Sequence, residues 1–163
     1  MSCSTLLIIN KKRKLESVAE YKNAYGSAPL IWSYLTKKYL KSDSYFAVTD
    51  KLWKLIDDHR LSRDEKLCLI FTFDYFTASK KHIDVFAGAL ENIGTKAKEE
   101  FPSFANHLSA IAGDLRKLNK LDFSRFCFNC TSVADIWFEP NVLKKAWWAH
   151  KEYSELVEQK GEA

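Results

Sequence analysis

The chain has 163 residues, 25 basic against 21 acidic, for a formal net charge of +4; 47% are hydrophobic, including Trp 5, Tyr 7 and Phe 11. A chain this long hides roughly two thirds of its extended surface, enough for a core without disulfides or metal, and one this aromatic is folded rather than disordered. Gly 5 and Pro 3 are too few for a sandwich or barrel, and so mild a charge demands no nucleic-acid partner.

The length predicts one domain over 1–163, with 1–10 and 160–163 loosely held. Leu6 to Ile9 reads either as a short strand or as the lead-in to a helix. The first helix is predicted from about Lys12 to Tyr25, with Leu15, Val18, Ala19 and Tyr25 near one face and Gly26 as its stop. Pro29, at a favoured first-turn position, opens a second helix reaching about Leu40 and turning Leu30, Ile31, Tyr34 and Leu35 inward. After the polar break Lys41 to Ser44, the residues Val48, Leu52, Leu55, Ile56 and His59 repeat at helical spacing.

The centre of the fold is expected at 62–79. Ser62 stands three before Glu65, a capping box that marks a helix start. From Leu67 to Ala78 only Thr72, Asp74 and Thr77 are polar, so this helix belongs in the interior, with Phe71 and Phe73 in the core. Ile83, Phe86, Ala87, Leu90, Ile93 and Ala97 then form an amphipathic stripe, and Gly88 within it either permits close packing or is tolerated. Pro102 starts a further helix with Phe104, Leu108, Ile111, Ala112, Leu115 and Leu118 facing in. Asp122 to Cys130 alternates well enough for a strand, yet no partner strand is visible, so a short helix or packed loop is expected over 121–131. Pro140 opens the last helix, which runs to about Gln159. These elements predict an all-α domain of about six to eight helices around the central apolar one.

Cys3, Cys68, Cys127 and Cys130 show no disulfide spacing and read as reduced thiols of a cytoplasmic protein. Leu6 to Ile9 is too short for a signal-peptide core, and no apolar run reaches membrane-spanning length, so no membrane partner is expected. Cys127 and Cys130 form a CxxC that could bind zinc with Cys3 or His150. Structural zinc takes a second pair, which is missing, so two small buried hydrophobes are expected and neither metal nor cofactor. None of His59, His82, His107 and His150 has a metal-ligand or acid/base partner at helical spacing, and there is no phosphate loop or GxSxG, so the chain reads as no enzyme. Asp74 is one charge amid Phe71, Phe73, Tyr75 and Phe76. It is either a catalytic acid or a strut that accepts backbone N–H groups or pairs with a basic side chain; the strut is expected. Lys11 to Lys14 could touch nucleic-acid phosphates, but the other lysines look scattered, and a solvated first helical turn is expected.

Leu52-Trp53, Leu55, Leu61-Ser62, Glu65, Leu67, Leu69, Thr72-Phe73-Asp74 and the amphipathic helix Ile83 to Ile93 resemble small bacterial immunity proteins encoded beside contact-dependent inhibition or other polymorphic toxins. The similar stretch covers about residues 52 to 93, and its motifs are packing and capping residues. The resemblance implies an all-helical cytosolic protein that binds and neutralises one cognate toxin domain without catalysis. Immunity proteins to nucleases are often acidic and this chain is basic. It therefore needs a local acidic patch, a toxin that is not a basic nuclease, or binding away from the toxin's active site. Two readings from other classes stand beside it: a nucleic-acid-binding regulator using 11–14, and a small helical enzyme using Asp74, His59 or His82.

The expected partner surface is the last helix. Leu143, Ala146, Trp147, His150, Tyr153 and Val157 fall on one side, and Trp148 falls opposite them among polar residues. Trp148 ringed by Glu152, Glu155 and Glu158 reads as an interface anchor with an acidic rim, and equally as a ring packed under a neighbouring segment. Asp57 and Asp58 are expected to add to the acidic contact surface.

Overall fold

Four strands, and not one central helix, organise the part of the chain described here. The computed structural model describes residues 3–22, 28–73, 76–102, 104–129 and 156–157. Strands β1 (Cys3–Ile9), β2 (Leu15–Lys22), β3 (Ala78–Ser79) and β4 (Arg125–Asn129) form an antiparallel sheet in the order β2-β1-β4-β3. The all-α fold expected from sequence is thereby corrected to a mixed α/β one.

β1 is central because Leu6, Leu7, Ile8 and Ile9 are all buried, an apolar run that fits a strand covered on both faces. It leads into a tight hairpin. The Asn10 side-chain oxygen accepts the backbone N–H groups of Lys12 and Lys14 at 2.9 and 3.0 Å, and Arg13 sits in the left-handed region at φ 62, a side-chain-templated turn. The basic run Lys11 to Lys14 is thus a hairpin tip, and β2 stands over Leu15–Lys22 where a helix from Lys12 to Tyr25 was expected; the end of that expected helix, with Gly26 as its stop, lies outside the described residues.

A β-bulge explains that error. Leu6 pairs with Ala19 and Leu7 with Ser17, which leaves Val18 as the extra residue. Leu15 consequently packs with Leu7 and Cys127 on one face, while Ala19 and Tyr21 join Leu6 and Ile8 on the other. The switch of faces destroys the period-two pattern that would mark a strand. β4 also contradicts the expected loop at 121–131. Its missing partners are β1 and the two-residue β3, through the pairs Leu6 with Phe128 and Ala78 with Phe126.

Helices α1 (Ala28–Leu35), α2 (Thr49–Lys54), α3 (Arg63–Phe71), α4 (Ile83–Lys96) and α5 (Phe104–Lys117) supply the rest of the main core. α1 continues through a π turn, Thr36–Leu40, closed by Lys41 at φ 53. The helix expected around Leu52 is in fact α2 between single 3₁₀ turns at Phe46–Val48 and Leu55–Asp57, and His59 is exposed beyond it. The stripe expected on α4 is buried, and so are Leu108, Ile111, Ala112, Leu115 and Leu118 of the next one. Gly88 faces open space, whereas a Cβ on Gly94 would lie 3.0 Å from the Ala105 Cα, so Gly94 is where α5 approaches α4.

The central helix is shorter than expected. α3 ends at Phe71, where the Thr72 and Phe73 N–H groups turn back to Leu69 and Ile70 at 3.1 and 2.9 Å. The Thr72 hydroxyl donates to the Leu69 carbonyl at 2.7 Å, a side-chain bond that competes with further helix. By Ala78 the chain is a strand. The Arg125 guanidinium fixes that approach, donating to the Thr77 hydroxyl and carbonyl at 2.8 and 2.6 Å. Phe71 and Phe73 are buried as expected. The Phe71 ring lies 5.1 Å from Phe128, 5.4 Å from Phe86 and 6.1 Å from Phe126, and so joins α3, α4 and β4. The Tyr21 hydroxyl donates to Asp114 at 2.6 Å and ties β2 to α5. Among the described residues, no helix is long and apolar enough to cross a membrane.

Candidate functional site

Two neighbouring constructions on the helical side carry the polar and aromatic groups of most interest. The first is built on Glu65. Its capping box with Ser62 is complete: Ser62 Oγ accepts the Glu65 N–H at 3.2 Å, and Glu65 Oε1 accepts the Ser62 N–H at 3.1 Å. The carboxylate is buried, which is costly unless its lone pairs are filled. The π turn after α1 fills them. Tyr39 donates to Oε1 at 2.7 Å, and the Lys38 ammonium reaches Oε2 at 3.3 Å while also donating to the Tyr34 hydroxyl at 3.2 Å.

The electrostatics follow the geometry. Burial pulls Lys38 down, but its bond to Tyr34 and the Glu65 charge outweigh that and hold it above the ordinary lysine range. Burial and then the bond to Glu65 push Tyr39 up to about 12, and burial also raises Tyr34. These three groups are moved further from neutrality, so none of them is poised to trade a proton near pH 7. The network fastens the π turn to the start of α3.

Asp58 borders this network. Its carboxylate takes a two-pronged grip from the Arg60 guanidinium, at 2.7 to 3.1 Å, and the Arg60 backbone N–H at 2.9 Å. Those bonds hold its pKa at about 2. Arg60 in turn lies 5.4 Å over the Tyr39 ring. Of the two aspartates expected at a partner surface, Asp58 therefore has its charge largely offset, and Asp57 is exposed.

The second construction is a run of rings from the core to the surface. Phe73 meets Trp53 at 5.3 Å, Trp53 meets Trp32 at 5.5 Å, Trp32 meets Tyr45 at 5.5 Å, and Tyr45 meets Phe46 at 4.4 Å. Trp32 is buried and its indole N–H donates to Thr72 at 2.9 Å. The turn carrying the outer rings is held by the Thr49 hydroxyl, which donates to the Tyr45 and Phe46 carbonyls at 3.1 and 3.2 Å. Phe46 ends the run 77% exposed. Sequence reasoning missed it, along with Lys38, Tyr39 and Arg60. The available signal was an aromatic pair, Tyr45-Phe46, directly after the polar break Lys41 to Ser44.

Asp74, Trp148, Glu152, Glu155, Glu158 and Cys130 lie outside the described residues. Nearby, Leu156 is buried and its carbonyl accepts Arg63 Nε at 2.8 Å. His82 is half-buried, its pKa lowered by burial and then by Lys81 and Arg125. Burial pushes the Cys127 thiol up to about 12 and raises Cys68 as well, as suits packed thiols. Among the described residues, no group of three or more His, Cys, Asp or Glu is placed to hold a metal. Compared with known proteins, the chain matches no family model, no curated protein and no solved structure.

Proposed function

We propose that the chain binds and neutralises a cognate toxin domain and performs no catalysis of its own. The supporting observation is Phe46. A large ring left 77% exposed would lose a favourable burial of about 2–3 kcal/mol unless a partner covers it. Four further rings behind it fix its position, so docking would order little that is not already ordered. Rigid aromatic anchors of this kind dominate protein interfaces. With Asp58 paired to Arg60, the reading favours a toxin face that is not a basic nuclease cleft.

The experiment is co-expression with the protein encoded immediately upstream. The proposal expects restored growth and a 1:1 complex of the purified proteins. A toxic neighbour that neither forms a complex nor is neutralised would overturn it.

A further inference from the structure

One end of the sheet gathers lysines that look scattered in the sequence. The register aligns Leu15 with Ile9, Ile9 with Arg125, and Arg125 with Ser79, so all four strands reach one row. Just beyond that row lie the hairpin tip 10–14, the turn Lys80–His82 and the segment 120–124. Direct contacts tie them together. The Ser124 N–H donates to the Ile9 carbonyl and the Lys80 N–H to the Ser124 carbonyl, both at 3.0 Å. The Lys80 ammonium donates to the Leu121 carbonyl and sits 5.0 Å over the Phe123 ring. Lys11 pairs with Asp122 at 2.8 Å.

The cations outnumber their local counter-charges. Asp122 is taken by Lys11, and Glu16 accepts from the Asn10 amide at 3.0 Å. Lys12, Arg13, Lys14, Lys81 and Lys120 are exposed, and among the described residues none of their side chains is in an ion pair or hydrogen bond. The Asp122 carboxyl is held below its usual range by its bond to Lys11, with smaller help from the Lys11 and Lys80 charges.

We propose that this end of the sheet binds the phosphate backbone of a nucleic-acid duplex without reading its bases. Four strands about 4.8 Å apart spread the cations over a row about 14 Å wide, comparable to the major groove. The side-chain-templated turn holds Lys12, Arg13 and Lys14 in fixed backbone geometry at one end of that row. Phe123 is buried beneath Lys80, and among the described residues this end exposes no aromatic ring, so it lacks the stacking platform that single strands use. Leu121, 42% exposed, is a small apolar centre for a protein interface. The inference does not depend on toxin neutralisation, and either can fail alone.

The test is fluorescence anisotropy with a short labelled random-sequence DNA duplex in rising potassium chloride. Five phosphate contacts predict a log–log slope of about −4.5, a loss of roughly 500-fold between about 50 and about 200 mM salt. The triple variant Lys12→Gln, Lys14→Gln, Lys81→Gln should lower the slope to about −1.8. Lys51→Gln with Lys54→Gln on α2 should leave it unchanged. Melting curves check the fold, and if the triple variant melts early, Lys81→Gln alone should still reduce the slope by about 0.9. No duplex binding at about 50 mM salt, or equal losses in the α2 control, would overturn the proposal. So would tighter binding to poly-glutamate than to the duplex, which would mark a docking surface for an acidic protein.

Discussion

Replacing Glu65 by alanine should cost about 2–3 kcal/mol of folding stability. The figure comes from the groups left behind. Half of the capping box disappears, leaving the Ser62 N–H without its acceptor, for about 1 kcal/mol. The Tyr39 hydroxyl, 2.7 Å from the carboxylate and partly buried, loses its short bond and keeps only the Arg60 carbonyl at 3.4 Å, for about another 1–2 kcal/mol. Lys38 adds little, because its side chain is 43% exposed and water can replace Glu65. Glu65→Gln keeps an acceptor oxygen and the side-chain volume and should lose about 1 kcal/mol. Urea unfolding measures both, with the alanine midpoint falling by about 1 M at a slope near 2 kcal/mol per M. A double-mutant cycle with Tyr39→Phe should return a coupling of about 1 kcal/mol. An alanine variant within about 0.5 kcal/mol of the parent, or a cycle that adds without coupling, would refute the reading of Glu65 as the fastener of the π turn.

The two glycines of α4 should respond with opposite signs. Gly88→Ala enters open space and should gain about 0.5–1 kcal/mol, whereas Gly94→Ala, pressed against the Ala105 backbone, should lose about 1–3 kcal/mol; thermal melts read both. Phe71→Ala should cost about 3–5 kcal/mol in the same assay, since Phe71 joins α3, α4 and β4. Stability should also fall at high pH. Tyr39 is raised above the ordinary tyrosine value of about 10, so its contribution is whole below that pH and is lost as pH rises through about 12. The drop in melting temperature over that window should be shallower in Tyr39→Phe.

Local chemistry was legible and long-range pairing was not. The capping box at Ser62 and Glu65 reads from two residues three apart, and both of its bonds are present. The stripe of α4, and that of α5 from Leu108 onward, hold because each helix buries one face. β2 was lost because its bulge at Val18 moves Leu15 and Ala19 to opposite faces while keeping them at a spacing that also suits a helix. β4 alternated visibly, but its partner β1 lies more than a hundred residues earlier and reads as a uniform apolar run. The stretch 67–78 is apolar on every side and so carries no period that separates helix from strand. At the candidate site, the capping role expected of Glu65 is present in its bond to the Ser62 N–H. Its donors Lys38 and Tyr39 come from a π turn, which shifts residues off the helical spacing that pattern reading assumes. Phe46 was passed over because an exposed aromatic lies outside every apolar stripe.

The most direct measurement of the functional account is the affinity of Phe46→Ala for the protein encoded immediately upstream, set beside its melting curve. Phe46 is mostly exposed, so the melting temperature should stay within about 2 °C of the parent. Affinity should fall by about 2 kcal/mol, roughly thirtyfold, mainly through faster dissociation. Unchanged affinity in a fully folded Phe46→Ala protein would contradict the account.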